Sequence, residues 1–204
     1  MNNLSIFCAD VGSIKANKFG WAGKYADGKV LEGHDIEVFA YQIAEEIGLG
    51  NQVALGFECP MYVPMREIPE KVNSARNGEG NRSWSAGAGT GALATGLVEM
   101  LWVMNTVSGL LGNPPKAVFD WTEAEKPNAV FLWEAFVTST AKGVSHSEDA
   151  LIAIDTFSKA LPDPWSANAV IEADVLSLVG AAALRAGWTD DSAALSKPCV
   201  VIKA

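Results

Sequence analysis

The chain has 204 residues, 49% apolar and 19% charged, which excludes an intrinsically disordered chain and suffices for a sizeable buried core. Its net charge of −9 and isoelectric point of about 4.7 exclude a protein that grips nucleic acid through a broad basic face, but not one with a locally basic groove. Three widely spaced cysteines, Cys8, Cys59 and Cys199, form no disulfide framework and point to a reducing, cytoplasmic setting.

No basic region followed by an apolar stretch opens the chain, so no signal peptide is expected. Residues 4–9 read as a first strand, an apolar run that ends on Asp10 and the turn Val11-Gly12-Ser13. Two more strands, 19–25 and 29–36, are joined at Ala26-Asp27-Gly28, a hairpin signal. A helix over 37–47 stops at Gly48-Leu49-Gly50. The fourth strand, 53–58, ends on Glu58 and is followed by Cys59-Pro60. Residues 59–91 have no periodicity and are rich in Pro, Asn, Gly and Arg. A loop of that length inside a domain is usually functional.

A long helix, about 90–111, closes at Gly112-Asn113-Pro114-Pro115. It is apolar, yet Glu99, Asn105, Thr106 and its glycines suit a buried core helix better than a membrane span. Strands follow at 116–121 and 129–137, helices at 148–161 and 171–186, and a short strand at 200–203. This order predicts one α/β domain over 1–204: a mixed sheet of about five strands flanked by helices in three layers, with a long loop insertion at 59–91.

The chemistry-bearing residues are acids at strand ends. An ionised carboxylate ending a buried strand is costly unless it is paired or binds a cation, so Asp10 and Glu58 predict either a metal site or a salt-bridged turn. Glu134, inside the apolar strand Val130–Val137, is either a further site acid or a structural ion-pair member. The long loop carries Arg76, Arg82 and Trp84, two phosphate-binding cations and a ring on which a base can stack, and as the alternative these are ordinary solvated loop residues. His146, before a helix in Ser145-His146-Ser147-Glu148, is either a base or phosphate contact or a capping-region surface residue. Gly87-Ala88-Gly89-Thr90-Gly91-Ala92 has the glycines of a dinucleotide fingerprint but neither the preceding strand nor the acid some 20 positions on. Zinc spacing and a Gly-x-Ser-x-Gly elbow are absent from the sequence.

Four segments carry a family likeness: Asp10-Val11-Gly12 with Phe19-Gly20-Trp21-Ala22; Gly56-Phe57-Glu58-Cys59-Pro60; Leu132-Trp133-Glu134-Ala135-Phe136; and Glu172-Ala173-Asp174-Val175-Leu176 before Ala181-Ala182-Ala183-Leu184. With the element order they resemble the ribonuclease H-like superfamily, and within it the predicted RNase H-like nuclease family of unknown function, distantly RuvC-like. The resemblance implies a metal-dependent nuclease with Mg²⁺ or Mn²⁺ held by Asp10, Glu58 and Asp174, acting on nucleic acid. The family's last helix often carries a second Asp, where this chain has Ser177. Glu148-Asp149-Ala150-Leu151 also resembles that helix's acidic start, so the third ligand stands among Asp174, Asp149 and Glu172. Two rival readings accompany it. One is a non-catalytic binding or assembly protein on the same scaffold, suggested by the acidic charge and seven tryptophans. The other is an actin- or sugar-kinase-like ATP-binding protein, suggested by Asp10-Val11-Gly12-Ser13.

Overall fold

A computed structural model describes residues 3–138 and 141–204. The fold is α/β, built on a mixed sheet. Its strands are β1 (Leu4–Asp10), β2 (Gly20–Lys24), β3 (Val30–Gly33), β4 (Gln52–Glu58), β6 (Lys116–Val118), β7 (Ala129–Phe136) and β9 (Val200–Lys203), while β5 (Tyr62–Pro64) and β8 (Val175–Ser177) form a separate antiparallel pair. The helices are α1 (Ile36–Gly48), α2 (Ala88–Leu111), α3 (His146–Ala160) and α4 (Leu178–Ala186).

The main sheet runs β3-β2-β1-β4-β7-β6, with β9 pairing the second half of β7, so it holds seven strands where the sequence predicted about five. β7 is long enough to pair β6 over residues 129–131 and β9 over residues 133–136, so the short strands expected at 116–121 and 200–203 both join the one sheet. The first three strands form an antiparallel meander, whereas β1, β4, β7, β6 and β9 pair in parallel.

Strand alternation sorts the core into two sides. Phe7, Leu55, Phe57 and Leu132 face α1, α2 and α4, and Ile6, Cys8, Ala54 and Trp133 face α3. Asp10 pairs directly with Glu58 across β1 and β4, so both lie on the α3 side. Glu134 pairs with Phe57, one step earlier, and so lies on the opposite side. That parity separates the strand acids before any side chain is placed.

Two further expectations change. The helix expected over 171–186 starts only at Leu178, because residues 175–177 pair as β8 with β5, inside the stretch expected to be an unpaired loop. Ser177 then caps α4, its Oγ accepting from Gly180 N–H at 3.1 Å. Among the described helices α2 alone is long and apolar enough to cross a membrane by length and composition. Here it packs on α1 and α4 and buries Met100, Val103, Met104 and Val107.

Candidate metal centre

The site begins with the parallel pair β1–β4, whose ends bring Asp10 and Glu58 side by side. Helix α3 supplies the third acid. Its start is written locally: Ser145 is the N-cap, its Oγ accepting from Glu148 N–H at 3.1 Å. Asp149 then lies in the first turn, pointing at the strand ends. The close approach of α3 depends on Gly20, the β2 residue paired with Asp10, where a Cβ would come within 2.4 Å of the His146–Ser147 backbone. The same approach seats His146 on Asp10, Nδ1 to Oδ2 at 2.5 Å.

Asp10, Glu58 and Asp149 each offer a carboxylate oxygen within 4.8 Å of the others. Oxygens bound to one divalent ion at about 2.0–2.6 Å lie at most about 4–5 Å apart, so the spacing suits a shared cation. The arrangement also holds its own cation. Lys142 Nζ lies 3.0 Å from Asp149 Oδ2 and 3.3 Å from Glu58 Oε1. Asp149 Oδ1 accepts from Gly143 N–H at 2.6 Å, while Glu58 Oε2 is buried with no hydrogen-bond partner among the described residues.

The electrostatics follow from crowding acids in a dry place. Burial pushes the Asp10 carboxyl up, against the pull of His146 and Lys142. Glu58 is pushed up to about 8, first by burial and then by the Asp10 charge, with Lys142 opposing. Burial would pull Lys142 down, but Glu58 and Asp149 hold it above its ordinary value. Glu99, on α2 on the other side of the β1 exit, is pushed to about 7 by burial, while its Oε2 accepts from Gly12 N–H at 3.3 Å.

A cleft of about 870 Å³ opens on this cluster. Asp10, Glu58 and Lys142 form one wall; Arg82 and the N-terminus of α2, from Gly87 to Ala92, form another. Gly87 at the N-cap offers no side-chain cap, and of the first N–H groups of α2 that of Gly89 donates to Ala86 O at 3.1 Å. α2 sits close because at Gly96 a Cβ would meet Cys59 Sγ at 2.3 Å.

No family model, curated protein or solved structure matches this chain. Its function therefore rests on the site itself.

The other expected site residues fall elsewhere. Asp174 is exposed in the bend before β8, its carbonyl accepting from Met65 N–H, and is not among the clustered acids. Glu172 binds Arg66 through two 2.7 Å contacts and accepts from Asn77 N–H, which ties down the long loop. Of the three residues expected to meet substrate, only Arg82 is exposed to the cleft. Arg76 is buried, bound to Glu134 at 2.5 and 2.8 Å and to Glu79 at 3.0 Å, and stacked 4.7 Å over the Tyr62 ring. Glu134 is thus a structural ion-pair member. Trp84 donates its Nε1–H to Ser74 O at 3.0 Å and braces the loop.

Two site residues escaped the sequence reading. Lys142 sits in an unpatterned segment with nothing to mark it. Glu99 did leave a signal, as the lone acid in a long apolar helix.

Proposed function

We propose that the chain is a divalent-metal-dependent phosphodiesterase acting on nucleic acid, on a ribonuclease H-like scaffold. The scaffold reading is supported by the antiparallel β1–β3 meander, by β4 added parallel to β1, and by acids at the ends of both strands. One observation carries the activity: carboxylates from β1, β4 and α3, remote in sequence, meet within 4.8 Å of one another, and two of them, Asp10 and Glu58, line a cleft. The buried Glu58 Oε2, without a partner among the described residues, is suited to bind a cation, and an all-oxygen donor set suits Mg²⁺ or Mn²⁺.

A bound divalent ion would supply Lewis acidity and an activated water for in-line attack on a phosphodiester. Asp10, Glu58 and Asp149 would hold it, and the His146 contact orients Asp10. Arg82 and the first turn of α2, which has no side-chain cap, would form the wall that receives a flanking phosphate. Water is kept from the inner carboxyl faces by Cys8, Ala22 and Trp133 behind them.

Asp10→Asn and Asp149→Asn should each lower Mg²⁺- or Mn²⁺-dependent cleavage of DNA and RNA oligonucleotides by at least about 100-fold, since outer-shell changes alone cost 10–100-fold. Full activity in either variant overturns the proposal. A second reading, the non-catalytic scaffold, is favoured by one observation, the Lys142 ammonium already neutralising the acids. A wild-type protein that cleaves nothing and binds no divalent ion would establish it.

A further inference from the structure

Lys142 already places a cation between two of the clustered acids. Its ammonium contacts one oxygen of Asp149 and one of Glu58, two of the three proposed ligands. The side chain is 38% exposed, whereas those of Glu58 and Asp149 are 12% and 5% exposed, so the ammonium closes the cluster from the solvent side. An ammonium needs about 2.8–3.3 Å to these oxygens and a divalent ion about 2.0–2.6 Å, so both cannot sit between them.

Three hydrogen bonds hold the backbone of residues 142–144. Lys142 N–H donates to Thr138 O, Gly143 N–H to Asp149 Oδ1 and Val144 N–H to Glu148 Oε2. The side chain is free to leave while its backbone stays, because a lysine stem has four flexible carbons and its ammonium has no directional fork to break. Leaving would carry the charge into the cleft, where Lys142 already forms part of the wall.

We propose that Lys142 is a built-in surrogate cation that regulates metal loading: it bridges Glu58 and Asp149, two of the three carboxylates, in the metal-free protein and is displaced when a divalent ion enters. This rests on the metal-site reading above. Lysine and metal are competitors for one cage, so whatever the lysine contributes to the metal-free site is subtracted from metal affinity.

The test is calorimetric titration of Mn²⁺ into the full chain and its variants, with amine-reactive labelling of Lys142 read by mass spectrometry. Lys142→Met should bind Mn²⁺ at least about tenfold more tightly than wild type. Lys18→Met removes the same charge from an exposed position on the cleft, without contact to the acids, and should change affinity by less than about threefold. In wild type, Mn²⁺ should raise Lys142 labelling. Equal or weaker binding by Lys142→Met, equal tightening by Lys18→Met, or labelling unmoved by Mn²⁺ would each overturn the proposal while leaving the metal site standing. Binding by Lys142→Met alone, with none by wild type, supports it; no binding by either overturns both readings.

Discussion

Replacing Arg76 by Met should unfold the protein far more readily without acting on chemistry. The guanidinium is 2% exposed and makes three short contacts to Glu134 and Glu79, which are themselves 1% and 2% exposed. Methionine fills a similar volume over Tyr62 but leaves two buried carboxylates without their cation. Breaking a buried ion pair by removing one partner costs about 3–5 kcal/mol. For a chain of this size each 1 kcal/mol moves Tm by about 2–4 °C, so a fall of roughly 6–20 °C is expected. Differential scanning fluorimetry or urea unfolding followed by circular dichroism reads it directly. Arg76→Lys should recover only part of the loss, since an ammonium cannot reproduce the paired contacts to Glu134. The double variant Arg76→Met/Glu134→Gln should be less destabilised than the two single losses summed, because only Glu79, and no longer Glu134, is then left as a buried charge without its cation. A Tm within about 2 °C of wild type, with weakened nucleic-acid binding instead, would refute this reasoning and return Arg76 to the phosphate-gripping role its sequence context suggested.

Stability of the metal-free protein should fall as pH rises from about 5 to 8, because the unfolded carboxylates are already ionised there and the native state binds more protons. The groups responsible are Glu58, held near 8, and Glu99, near 7; thermal melts at several pH values check the slope, and saturating Mn²⁺ should remove most of it by favouring ionised Glu58. Asp174→Asn should leave both Tm and Mn²⁺ affinity unchanged, since its carboxylate is exposed and outside the cluster; calorimetry on that variant tests the choice of Asp149 as third ligand.

How much of this was legible beforehand varied with how local the signal was. Asp10 and Glu58 stood out because an acid closing an apolar run is unusual. The parallel register that makes them neighbours belongs to the β1–β4 pairing and is invisible in either run alone. The α3 start was readable from Ser145 and Glu148, but the choice of Asp149 over Asp174 was not. That choice depends on β5 capturing residues 175–177 as a strand, a tertiary pairing that overrides the helical spacing of Ile171, Val175 and Leu178. Arg76 looked like a loop cation because its partner Glu134 lies 58 residues away, on the sheet face opposite to Glu58. Lys142 carries no sequence signal, since its role comes only from where its flexible stem ends.

The most direct test of the metal centre is anomalous diffraction from crystals soaked in Mn²⁺. A peak is expected about 2.0–2.6 Å from carboxylate oxygens of Asp10, Glu58 and Asp149, with the Lys142 ammonium moved out of the cluster. A soaked crystal with no peak there, and Lys142 still bridging Glu58 and Asp149, would contradict it.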